Sequence, residues 1–253
     1  MEKIYRFRSC EYSLNALLNF SIEGTKFKIM GDDQNEVHLF VDAEKISSIT
    51  KIDKTIIDKT SDIVRNHIMN SYYLSCFTIV DQTNDPNMWK NYANTTGFCV
   101  VYDYNMIKNA VKWSSFSGKG FYLFRSVDYG DKSTDITPFV EDYLRLVADD
   151  IDNEEAHRKA AELVGNNLSE DVRKKVINCM FHKIGSFPEK TEIRIVTQRK
   201  NHKKDFCESI LEVDVKPIEI ICSPLMTKDN KITISKFCAK HHIKYTIKNI
   251  DIE

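Results

Sequence analysis

The chain has 253 residues, of which 42% are hydrophobic, enough for a sizeable core. Its 36 basic and 37 acidic residues leave a net charge of −1, so no whole-molecule basic field draws it to nucleic acid or membrane. A charged fraction of 29% with both signs balanced argues against disorder, and only 8 Gly and 5 Pro exclude a collagen-like or low-complexity chain. The N-terminal residues lack the apolar core of a signal peptide, and no run reaches the roughly 18 apolar residues of a membrane span. The 7 cysteines are scattered, mostly in apolar runs, with no C-x-x-C pair. They read as small buried hydrophobes rather than a disulfide framework or zinc site, so the expectation is a cytoplasmic protein with no metal and no membrane partner.

In chain order, Ile4 to Arg8 alternates as a half-buried strand, with Tyr5 and Phe7 on one face and Arg6 and Arg8 on the other. Leu14, Leu17 and Leu18 mark one face of a helix over 13–21, with Gly24 as its stop. Residues 26–41 read as a hairpin around Gly31-Asp32-Asp33, and 55–69 as a helix. Tyr72 to Val80 is the clearest strand, followed by a polar turn at Asn84-Asp85-Pro86 and a short helix over 87–94. Strands follow at 98–102 and 121–129, then a helical stretch over 134–182 broken near Asp152 and Gly165. Further strands are expected at 191–197, 210–215, 218–222 and 244–250, with a helix around 234–240. Helices and strands mix without strict βαβ alternation. The expected fold is therefore α+β, a single domain over 1–253. It has a mostly antiparallel mixed sheet, flanking helices and a helical insertion near 134–182.

The common catalytic signatures (G-x-G-x-x-G, the P-loop, G-x-S-x-G, H-E-x-x-H) are absent from the sequence. His241-His242 reads as a solvated pair at a helix C-terminus, where positive charge suits the dipole. Three segments carry information together: Tyr5-Arg6-Phe7-Arg8; residues 74–103, with Leu74-Ser75-Cys76-Phe77-Thr78, Met88-Trp89-Lys90-Asn91-Tyr92-Ala93 and Gly97-Phe98-Cys99-Val100-Val101-Tyr102-Asp103; and Lys183 to Arg194. On these residues the chain resembles a bacterial family catalogued only as domain-of-unknown-function family 2971. That family has an aromatic-basic opening, an S-C-F-S strand, M-W-x-x-Y-A, G-[VF]-C-[IV]-x-[FY]-D and a final E-x-E-x-R. The order is kept over nearly the whole chain. Lys190 replaces the first acid of the last signature and Phe187 its preceding tryptophan, while Glu192 and Arg194 remain. The family's asparagine-aspartate-proline box is not found near 26–41.

More distantly the layout resembles that of ADP-ribosyltransferases. The resemblance implies NAD as the bound dinucleotide and an enzyme of ADP-ribosyl transfer or NAD cleavage, acting as a bacterial toxin or phage-conflict effector. On that analogy Arg6, with Arg8 and Arg194, binds the dinucleotide, and Ser75 orients the nicotinamide ribose. Glu192 stabilises the oxocarbenium-like centre as nicotinamide leaves. Tyr5, Trp89 and Tyr92 shape the pocket, and Lys190 steers an anionic acceptor. The implied partners are a nucleic-acid or protein acceptor and an antitoxin or immunity protein.

Plainer assignments stand beside these. The charged residues would pair across neighbouring strands, Trp89 and Tyr92 would be core residues on one helix face, and Ser75 a small core residue. Charge segregation adds a non-catalytic alternative. Residues 128–171 hold 13 acidic against 4 basic residues, whereas 172–204 hold 10 basic against 2 acidic. The basic stretch suits a phosphate backbone, as in a nucleic-acid-binding module without NAD chemistry; equally, the acidic stretch would neutralise it within the fold.

Overall fold

A computed structural model describes residues 2–27, 39–117, 121–130, 134–147, 170–184, 191–198 and 206–252. In chain order the elements are β1 (Lys3–Arg8), α1 (Cys10–Leu18), β2 (Gly24–Lys26), β3 (Leu39–Phe40), α2 (Ala43–Thr50), α3 (Lys54–Ser71), β4 (Tyr72–Thr78) and α4 (Pro86–Tyr92). Next come β5 (Phe98–Asp103), α5 (Tyr104–Phe116), β6 (Phe121–Ser126), β7 (Asp128–Gly130), β8 (Thr134–Asp135), α6 (Thr137–Val147) and α7 (Glu170–Cys179). The chain closes with β9 (His182–Ile184), β10 (Glu192–Gln198), β11 (Phe206–Cys207), β12 (Glu219–Cys222), α8 (Lys228–His241) and β13 (Lys244–Ile247). The fold is α+β, a mostly antiparallel mixed sheet flanked by helices.

Two compact units divide the chain: Met1–Thr25 with Tyr73–Val127 and Glu189–Glu253, and Lys26–Tyr72 with Asp128–Pro188. The first is built on a sheet ordered β11-β2-β4-β1-β5-β12-β13, with β10 paired to β4 and to β6. β1 runs antiparallel between β4 and β5, and β12 runs parallel to β13 with α8 between them in sequence. Ile4, Tyr73, Phe77, Phe98, Val100, Ile193, Ile195 and Phe237 belong to one core, while Tyr5, Phe7, Trp89, Cys99, Val101 and Ile221 form another. Because β1 has strands on both sides and a core on each face, it is buried on both faces rather than half-buried as its alternation suggested.

The second unit is mainly helical. Along α6, Phe139, Val140, Tyr143, Leu144 and Val147 recur at helical spacing and are buried, with Ile46, Ile57, Val64 and Ile68 of α2 and α3 also buried. Asp42, Asp53 and Asp135 cap helix starts, each accepting a backbone N–H at 2.8–2.9 Å. β3 pairs in parallel with β8, and β7 with β9. The segment 134–182, expected as an insertion, lies within this unit, and its expected breaks near Asp152 and Gly165 fall outside the described residues.

Local chemistry explains the other differences. α1 starts at Cys10, after extended Ser9, and it ends through Phe20 at φ 56°; Gly24 opens β2 instead of stopping the helix. A Cβ at Gly24 would lie 2.3 Å from Ile210, so close packing is what the glycine serves. Of the expected hairpin, Leu39–Phe40 pair with β8, and 28–38 lie outside the described residues. The 121–129 strand is two strands, and 210–215 is irregular, held by Ile210 N–H to the Ile22 carbonyl and Val215 N–H to the Phe20 carbonyl while β11 forms the sheet edge. α5 was not foreseen: its apolar residues are spread around the helix, with Ile107, Ala110 and Val111 inward but Trp113 and Phe116 exposed. Among the described residues, no helix is long and apolar enough to cross a membrane.

Candidate functional site

Alternation along β1 sends Ile4, Arg6 and Arg8 to one face and Tyr5 and Phe7 to the other. On the first face Arg6 is 6% exposed. It donates from Nη2 to the Glu23 carbonyl at 2.7 Å and lies 3.8 Å from the Glu23 carboxylate. Its guanidinium also stands 5.6 Å from the centre of the Phe77 ring, a cation–π distance. Arg8 forms an ion pair with the same Glu23 Oε1 and donates from Nε to Ser13 Oγ at 2.9 Å. The Ser13 hydroxyl in turn donates to Glu23 Oε1. One carboxylate thus serves two guanidiniums.

The electrostatics follow from that imbalance. Burial, reinforced by the neighbouring charge of Arg8 and opposed by Glu23, lowers the Arg6 pKa to about 10. Tyr102, on the same sheet face, is pushed up to about 12 by its own burial, with the Arg6 charge acting against the rise. Arg8 is the accessible member: its side chain is 24% exposed, against 7% for Glu23.

Ser75 belongs to this face as well. It alternates with Tyr73 and Phe77, which pack in the same core as Ile4. The antiparallel pairing of β1 with β4 is at Tyr5 and Thr78. Ser75 is 2% exposed, and among the described residues its hydroxyl has no hydrogen-bond partner. A buried hydroxyl without a partner carries a desolvation cost that nothing on the protein offsets.

The opposite face has a different character. Phe7 meets Trp89 edge-on with ring centres 5.2 Å apart, and Trp89 is fully buried, donating from Nε1 to the Thr83 carbonyl at 3.0 Å. Trp89 is therefore core, with no face free to stack on a ligand. Tyr92, three residues on, is exposed, so the two do not share the environment expected of one helix face. Tyr5 is buried, and burial followed by the charge of Asp81 raises its pKa.

Glu192 and Arg194 also leave the Arg6 face. Ile193 and Ile195 of β10 pack in the core that holds Ile4 and Phe77, so alternation directs Glu192 and Arg194 the other way. They pair with each other along one strand, Arg194 Nε donating to Glu192 Oε1 at 2.7 Å. Arg194 is completely buried. The structure thus gathers Arg6, Arg8 and Ser75 on one face and leaves Tyr5, Trp89, Glu192 and Arg194 on the other. Lys190 lies outside the described residues.

Glu23 and Ser13, which complete the arginine cluster, were not singled out in the sequence. The available signal was a lone acid, Glu23, between the apolar Ile22 and Gly24 and just past an amphipathic helix. The basic stretch 172–204 is divided between the two units. Lys174 and Lys175 are exposed on α7 while Arg194 is buried. Lys190, Arg199, Lys200, Lys203 and Lys204 lie outside the described residues. Among the described residues, no three His, Cys, Asp or Glu side chains gather as a metal site would need. Comparison with protein-family models, curated proteins and solved structures gave no match.

Proposed function

We propose that the chain binds a dinucleotide of the NAD type through the Arg6–Arg8–Ser75 face, as an ADP-ribosyltransferase or NAD-cleaving enzyme. The reading keeps the toxin or phage-conflict role implied by the resemblance to domain-of-unknown-function family 2971, with nucleic acid or protein as acceptor. One observation carries it: two guanidiniums share a single carboxylate on the face that also holds the partnerless Ser75 hydroxyl. Surplus positive charge on the face that also holds an unsatisfied hydroxyl suits the phosphates and ribose of a dinucleotide. Glu192 stands on the other face, and its place there does not support a role at the anomeric carbon.

The test is incubation of the full chain with NAD labelled on the adenylate, reading nicotinamide release and label on added nucleic acid or protein. The reading expects release or transfer by the wild type, lost in Arg8→Gln. A folded wild type that neither binds NAD nor releases nicotinamide removes it. Glu192→Gln is the second arm, expected to retain activity, since Glu192 lies away from the arginine face. The exposed Lys174 and Lys175 favour the alternative of nucleic-acid binding, which a steep loss of affinity with salt would identify.

A further inference from the structure

We propose that Glu23 is an internal stand-in for the ligand, a carboxylate that holds Arg8 in the free protein and yields it to a phosphate-class anion, pyrophosphate above all. The proposal rests on the reading of the Arg6–Arg8–Ser75 face as an anion site, and it assigns that site a ligand chemistry and a competitor.

The geometry separates the two arginines. Arg6 is committed: buried, bonded to the Glu23 carbonyl rather than chiefly to its carboxylate, and seated over Phe77. Its role is to keep positive potential behind the site. Arg8 is not committed in that way. Its contacts are the Glu23 carboxylate and the Ser13 hydroxyl, both side chains, and it is the member that reaches solvent. A phosphate oxygen offers a guanidinium the same paired acceptance that a carboxylate does.

Replacing Glu23 at Arg8 by a dianionic phosphate group would raise the compensating negative charge within the cluster. It would also bring acceptor oxygens to the face that holds Ser75, whose hydroxyl lacks one among the described residues. Glu23 is near enough to Arg6 and Ser13 to remain paired after Arg8 turns away. The free protein therefore holds its binding arginine in a weaker pairing of the kind the ligand makes. The cost is affinity, and the return is a partly buried arginine that is never left without an anion.

The experiment titrates inorganic pyrophosphate, and separately inorganic phosphate, into the full chain by calorimetry at constant ionic strength. Wild type should bind pyrophosphate more tightly than phosphate. Arg8→Gln should weaken pyrophosphate binding at least about tenfold, the loss expected for one charge-assisted pair. Glu23→Asp, which keeps the charge but shortens its reach to Arg8, should tighten binding roughly tenfold. Ser13→Ala, which removes a donor from Glu23, should tighten it in the same direction and serves if Glu23→Asp does not fold. No binding of pyrophosphate by wild type overturns the proposal, as does unchanged or weaker binding in the folded Glu23→Asp and Ser13→Ala proteins. Pyrophosphate binding with this variant pattern but without NAD binding upholds it and overturns the NAD reading. NAD cleavage with no effect of either Glu23-loosening variant upholds that reading and overturns this one.

Discussion

The two faces of β1 solve opposite problems with residues one position apart. On the Tyr5–Phe7 face, aromatic rings pack against Trp89 and the indole N–H finds the Thr83 carbonyl, so the polar group that the ring packing carries inward is satisfied. On the Arg6–Arg8 face, a buried and a partly exposed guanidinium share one carboxylate, and a buried hydroxyl has no partner among the described residues. The first face is what packing alone produces. The second departs from it, and departures of that kind concentrate where a protein binds something.

The contrast can be broken from either side. Trp89→Ala empties the centre of the apolar face and should cost about 3–5 kcal/mol, read as a lowered urea midpoint at unchanged slope. Glu23→Ala should cost about 3 kcal/mol, the lower end of the range for breaking a buried pair, because Arg8 can turn to solvent while Arg6 cannot.

Alkali should act through buried thiols in the core of the arginine face. Burial pushes Cys238 to about 11 and Cys222 to about 12, against an ordinary 9.0. Above pH 9 the unfolded thiols release protons that the folded ones keep, so the native state binds more protons and stability falls as pH rises. From about pH 10 the lowered Arg6 begins to act with the opposite sign, because there the native state sheds a proton the unfolded chain retains. Urea midpoints at pH 8, 9 and 10 should therefore decline, and the decline should steepen beyond that window, where Tyr102 and Tyr245, both pushed up by burial to about 12, add to the thiols and outweigh Arg6.

Ser75→Ala should have the smallest effect. Removing a buried hydroxyl that bonds to nothing should leave stability unchanged or raise it by up to about 1 kcal/mol. A loss of more than that by thermal or urea unfolding would mean the hydroxyl is not the orphan described, and the contrast between the faces would weaken.

Much of this architecture is legible in the chain. The period-two alternation of Tyr5-Arg6-Phe7-Arg8 assigns each residue its face, and the β-rich run from Tyr72 places Ser75 on a central strand. Asn84-Asp85-Pro86 reads as a polar turn before a helix from 87, and the structure starts α4 at Pro86 with Asp85 as its cap, since Pro suits the first helical position. Less could be read where partners are remote. Arg6 finds Glu23 17 residues away, and nothing local marks that acid as its partner. Irregular 210–215 has a strand-like composition, yet pairing is decided by which neighbours reach it, and β11 takes the edge of the sheet beside β2.

The sequence by itself determined the class of fold and the alternation that divides β1 into an aromatic and a basic face; these depend on residues a few positions apart. Only the tertiary structure decided that the basic face is buried and that Glu192 stands with Arg194 on the side away from Arg6. It also decided that one distant carboxylate serves two arginines. Burial is a property of what packs on a strand, and a strand with cores on both sides hides its charges whatever its own pattern suggests.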